Sequence, residues 1–175
     1  MSAGLFGARV STVLGIDPGK DGAAVLLGPD LSADPLAVLL LDPIVGGKKW
    51  EAVHPEITRW IRAVHATTPV DLAVLELHAG RPGEGAGSAR TIGVGWGLWL
   101  GALSALGIPV ICPASNKWTA DLLSDLPGEG KDRAVAFVRQ RIPGVNLTPG
   151  RRVKPHTGIA DAACLSVYGL SKASK

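Results

Sequence analysis

Apolar residues fall along this chain in two rhythms, and the change between them sets the order of elements. Val10–Asp17 is a run of mainly apolar residues closed by Asp17-Pro18-Gly19, where proline and glycine stop a strand. Ala23–Leu27 and Leu36–Leu41 are two more short apolar runs, and the intervals 18–22 and 28–33 are short enough for hairpins. The first forty residues therefore read as a three-stranded antiparallel meander. From Pro55 to His65 the period changes. Ile57, Trp60, Ile61 and Val64 follow i, i+3, i+4, i+7, the spacing of one helix face, and Pro55 suits a first helical turn. Asp71–Leu77 returns to a Val- and Leu-rich strand. A glycine-rich loop, 80–87, leads to a helix over Ser88–Leu106, a strand over Ile108–Cys112 and a short helix from a Ser115 cap through Leu123. Lys131–Arg141 is a further helix, 143–155 a basic loop, and Ile159–Leu170 a last apolar helix.

The order is β-β-β-α-β-α-β-α-α-α. A strand, a crossover helix and a strand call for parallel pairing. A meander followed by two such crossovers matches an RNase H-like α/β fold, a five-stranded mixed sheet flanked by helices. A dinucleotide-binding fold would alternate from its start. The 175 residues suit a single domain over 1–175, with 1–9 and 171–175 as loose termini, and 46% apolar residues are enough for a closed core. Cys112 and Cys164 sit in apolar runs without metal or disulfide spacing, so both read as buried thiols of a reducing compartment. The glycine-laced segment 92–106 is too short to span a membrane, and the region around Leu5 and Phe6 is too short for a signal peptide. A cytoplasmic protein, in a bacterial or phage-infected cell, is expected.

Net charge is only +3, but residues 131–155 carry seven Lys or Arg against Asp132 alone, leaving −3 on the rest of the chain. A basic segment on a near-neutral body suits a polyanionic partner, although a solvated helix face and loop would look the same. Candidate chemistry lies in three acids. Asp17 ends an apolar strand, Glu76 lies within Val-Leu-Glu-Leu, and Asp161 lies in the apolar start of the last helix. A buried carboxylate is costly unless it is paired or binds a cation. Taken singly, Asp17 could serve a turn, Glu76 an ion pair and Asp161 a helix dipole. In an RNase H-like sheet the first and fourth strands are neighbours, so Asp17 and Glu76 would stand together and the last helix would add Asp161. Converging hard oxygen donors select Mg²⁺ or Mn²⁺. Gly93, Gly97 and Gly101 share one helix face and permit close approach, either onto the sheet or onto a second copy. Trp96 and Trp99 beside them read as core or interface residues.

Leu-Gly-Ile-Asp-Pro-Gly at 14–19, Val-Leu-Glu at 74–76 and Ile-Ala-Asp-Ala-Ala at 159–163 resemble the three signature segments of RuvC-type Holliday junction resolvases. Residues 80–118 are similar to the branch encoded by bacteriophages, and the resemblance runs from about Val10 to Gly169. It implies a homodimer that resolves four-way junctions by paired nicks, using two Mg²⁺ or Mn²⁺ ions per site and no nucleotide cofactor. It implies Asp17, Glu76 and Asp161 as ligands. His156 is the candidate fourth member, as ligand or general acid, because the family carries Asp or His just ahead of the last Asp. His78, two residues after Glu76, reads as a neighbour. Arg81, Arg90, Lys117, Lys131, Arg133, Arg151, Arg152 and Lys154 are candidate DNA contacts. Where the family often has a strand-separating aromatic, this chain has Ala89, Arg90 and Thr91. Alternatives are a related nuclease acting on flaps or RNA–DNA hybrids, and a non-catalytic branched-DNA-binding protein. An actin-like nucleotide-binding fold would need duplicated domains that this length does not hold.

Overall fold

In the computed structural model, residues 10–41, 50–77 and 85–173 are described. Strands β1 (Val13–Asp17), β2 (Ala23–Leu27) and β3 (Ala37–Leu40) form the expected meander. Helix α1 (Trp50–Thr67) crosses to β4 (Leu72–Leu75), which pairs parallel with β1, and α2 (Ala86–Ala105) crosses to β5 (Val110–Ile111), parallel with β4. Helices α3 (Ser115–Leu123), α4 (Lys131–Arg141) and α5 (Thr157–Ala173) complete the chain. The sheet order is β3-β2-β1-β4-β5, a five-stranded mixed sheet with helices on both faces.

Strand alternation divides the core. Leu14, Ile16, Ala24, Leu26, Ala73 and Leu75 are fully buried with Ile57, Ile61 and Trp99 on the side of α1 and α2. Val13, Val25, Leu72 and Val74 face the opposite way, into a second cluster with Ile159, Ala163 and Tyr168 of α5. Period-2 alternation puts Asp17 and Glu76 on that same second face.

Helix α5 lies unusually close to the sheet. A Cβ on Gly15 would come within 2.0 Å of the Ala162 carbonyl, so only glycine admits the crossing. Ser166 Oγ accepts from the Gly15 N–H at 2.9 Å and donates to the Val25 carbonyl at 2.7 Å. At the helix start, Gly158 is pressed onto the β1–β2 turn, where a Cβ would meet the Asp21 carbonyl at 2.4 Å. Asp161 is therefore held between two points of backbone contact.

Several boundaries differ from the sequence reading. Helix α1 begins at Trp50, with Pro55 inside it. Proline there forgoes one intrahelical bond, a loss the buried face of Val53, Ile57 and Ile61 offsets. Strand β5 shrinks to two residues, extended by an isolated bridge between Leu77 and Ala114. Helix α5 continues through Ala173, and Lys172 pairs with Asp121 at 2.7 Å. Cys164 is buried but Cys112 only half so. The glycine stripe faces outward, since Gly93, Gly97 and Gly101 are exposed and a Cβ on any of them would meet nothing within 4 Å. Packing onto the sheet is thereby excluded as its reason. Among the described residues no helix is long and apolar enough to cross a membrane.

Candidate active site

Three carboxylates open on one cleft of about 620 Å³ at the carboxyl ends of β1 and β4. Asp17 is the last residue of β1, and its Oδ1 accepts from the Gly19 N–H at 3.0 Å, closing the Asp-Pro-Gly turn. Glu76 follows β4 directly. Its N–H donates to the Ile16 carbonyl at 3.0 Å, which ties it beside Asp17. Asp161 comes from the second turn of α5. All three are half-buried.

Their charges act on one another. Burial, opposed by the Gly19 N–H but aided by the Glu76 charge, pushes the Asp17 carboxyl up to about 6. Burial together with the charges of Asp17 and Glu76 pushes Asp161 up to about 7. The Lys131 ammonium pulls both down without cancelling the rise. Lys131, at the start of α4, lines the cleft, and its Nζ donates to Thr157 Oγ1 at 3.4 Å. Half-buried Arg133 lines it too, with Nη1 donating to the Leu123 carbonyl at 3.4 Å.

Asp17, Glu76 and Asp161 thus share one cleft with Lys131 and Arg133. Among the described residues no three His, Cys, Asp or Glu side chains close into a ready cage. The donor set fits a hard divalent cation: three carboxylates in one cleft, two of them raised by burial and mutual repulsion.

His156 does not join them. It is buried at the N-terminus of α5, where Nδ1 accepts from the Ile159 N–H at 3.3 Å and the backbone N–H donates to the Leu147 carbonyl at 2.7 Å. This is the geometry of a helix cap. Lys117 and Arg90 are exposed on α3 and α2, and Arg151, Arg152 and Lys154 are exposed on the loop before α5; none lines the cleft. Arg81 and His78 lie outside the described residues. One cleft residue was not singled out from the sequence. Trp118 on α3, 2% exposed, donates its indole N–H to Glu76 Oε1 at 3.0 Å.

No family model and no curated protein matches this chain. Solved structures do. Thermus thermophilus RuvC in complex with a Holliday junction substrate superposes with a TM-score of 0.65 at 18% identity, covering 93% of this chain and 94% of that one. The fold is that of RuvC. A second Thermus thermophilus RuvC structure gives a TM-score of 0.62 at 19% identity, over 92% of this chain and 95% of that one. The yeast mitochondrial Holliday junction resolvase Ydc2 gives 0.64 at 13% identity, over 98% of this chain and 82% of that one. At these identities the likeness to RuvC and Ydc2 is one of architecture, the RNase H-like arrangement expected from the order of elements.

Proposed function

We propose that this chain is a divalent-metal-dependent endonuclease that resolves four-way DNA junctions. The observation that carries this reading is the opening of Asp17, Glu76 and Asp161 on one cleft, flanked by Lys131 and Arg133, in a RuvC fold. The three carboxylates would hold two Mg²⁺ or Mn²⁺ ions as oxygen ligands. When bound, such ions lower the pKa of a water for attack on a phosphodiester and neutralise charge growing on the leaving 3′-oxygen.

The chain's own groups supply the rest. Lys131 and Arg133 place positive charge where a scissile phosphate would enter. Arg90, Lys117, Arg151, Arg152 and Lys154 are exposed and would meet phosphates along the branches, which sets affinity and register rather than sequence preference. His156 acts through α5, whose first turn it caps. A symmetric homodimer supplies two sites for opposed nicks. The outward glycine stripe of α2 supports a second copy, because each glycine in an exposed helix costs roughly 1 kcal/mol without such packing.

Residues 89–91 hold no aromatic wedge, which keeps flaps and RNA–DNA hybrids as a second reading of substrate. Single-turnover assays with Mg²⁺ on a labelled four-way junction, flap, duplex and hybrid decide between them. The junction is expected to be cut fastest, in two opposed strands. Faster cutting of the flap or hybrid, or no cutting of any, overturns the junction assignment.

A further inference from the structure

The bond between Trp118 and Glu76 joins the core to the cleft. Trp118 lies one turn into α3, and its ring belongs to the hydrophobic cluster that also contains Val74, Leu123 and Ala134. At 2% exposure the ring has one place to be, and its N–H reaches Glu76 Oε1 at 3.0 Å. A glutamate side chain has three rotatable bonds, and ordering a flexible side chain costs up to about 2 kcal/mol of entropy. Here the ordering is done in advance by a rigid donor. The choice of donor matters. A Lys or Arg in this place would bring a positive charge into the cleft, whereas an indole donates one hydrogen bond and brings no charge of its own.

The bond also divides the labour of the two carboxylate oxygens. The indole fills one acceptor site on Oε1, which leaves Oε2 the more open oxygen for a ligand in the cleft. A carboxylate held this way is biased toward giving one oxygen to a cation. Small octahedral ions such as Mg²⁺ and Mn²⁺ accept single oxygens in fixed directions, whereas Ca²⁺ takes more ligands and readily uses both oxygens of one carboxylate.

We propose that Trp118 is a positioning residue that makes Glu76 a one-oxygen ligand and so biases the cleft toward small octahedral cations over Ca²⁺. This rests on the metal-nuclease reading above, and the test separates the two. Mn²⁺ alone and Ca²⁺ alone are titrated calorimetrically into the DNA-free full chain, wild type and Trp118→Phe. The variant is expected to lose about tenfold or more in Mn²⁺ affinity, the scale of losing a partner behind a metal ligand. Its Ca²⁺ affinity should stay within about threefold, because a released carboxylate can offer both oxygens. In wild type the indole N–H resonance absent from the variant's spectrum should shift on Mn²⁺-free Mg²⁺ addition. If Phe loosens the fold, a lowered thermal midpoint will show it. Benzothienylalanine at position 118, the same bicyclic shape with sulfur in place of N–H, then repeats the comparison. Unchanged Mn²⁺ affinity in the donor-less protein, or equal losses for both ions, overturns the role of Trp118 while leaving the metal site standing. A wild-type chain that binds neither ion overturns the metal-nuclease reading itself, and this role with it.

Discussion

The β1–β4 pair carries a carboxylate at each end, and the two ends treat it in opposite ways. At the start of β4, Asp71 Oδ2 accepts from the Ser11 N–H at 2.8 Å, the Ser11 hydroxyl at 2.9 Å and the Thr12 N–H at 3.0 Å. Partial burial pulls the Asp71 carboxyl upward, but these bonds outweigh it and hold it below the ordinary range. At the other end, Asp17 has one backbone N–H and Glu76 one indole, and with Asp161 they face one another across a cleft. Burial and mutual repulsion push Asp17 to about 6 and Asp161 to about 7. The first end uses its carboxylate to join two strands. The second leaves negative charge unsatisfied, which lowers the stability of the free protein and suits a site that binds cations.

The sharpest way to break this contrast is Asp161→Asn. Cleavage is expected to fall by more than the roughly 10–100-fold that losing an outer partner of a metal ligand costs. Metal-free stability should rise. The folded carboxyl titrates near 7 against 3.8 for an ordinary Asp, so between those values the native state holds a proton that the unfolded chain has lost. Wild-type stability therefore falls as pH rises through that window, and Asn removes the loss. At pH 8 without metal the gain should be about 1–3 kcal/mol, read as a midpoint roughly 3–8 °C higher by calorimetry. A lower midpoint would mean that Asp161 is a structural acid.

Asp71→Ala should move the other way, costing about 1–2 kcal/mol for the lost charge-assisted hydrogen bonds, with cleavage kept within a few-fold. The sign with pH is also reversed. A depressed carboxyl contributes stability above its unfolded value of 3.8 that is lost as pH falls through the folded value. A variant as stable as its parent would show that this end of the strand pair needs no pin.

The smallest effect is expected at His156, the cap of the helix that carries Asp161. His156→Ala should cost about 1 kcal/mol in thermal unfolding, and His156→Asn, a good cap, should restore most of it together with the cleavage rate. If both variants fold as stably as wild type yet cut about 10²-fold more slowly, the imidazole has a chemical role after all.

The order of elements and the three acids were legible because each rests on a local signal: the change from period 2 to period 3.6, and acids set in apolar runs. Topology then did the rest, since β1 and β4 are paired neighbours and α5 packs on both. The start of α1 was misplaced because Pro55 marks a first turn in most helices, yet here it lies inside one. His156 stands out in the sequence because RuvC-type resolvases carry an Asp or His just ahead of the last Asp. Its capping contact depends on backbone geometry at 156–159, which residue identity alone does not reveal. The glycine stripe has the same sequence pattern whether it faces the sheet or solvent. Trp118 went unmarked beside Lys117 because an aromatic in a short helix signals core packing, and its bond to Glu76 spans 42 residues of sequence.

The cleft end of the strand pair is proposed above as a metal-dependent cutting site. It is tested most directly by single-turnover cleavage of a labelled four-way junction by wild type and Asp17→Asn, each with Mg²⁺ and with excess EDTA, alongside junction binding by gel shift. Wild type with Mg²⁺ should nick two opposed strands. EDTA or Asp17→Asn should stop cutting while both proteins still bind the junction, because the phosphate contacts lie on other residues. Undiminished cutting by Asp17→Asn, or by wild type in EDTA, would contradict the account.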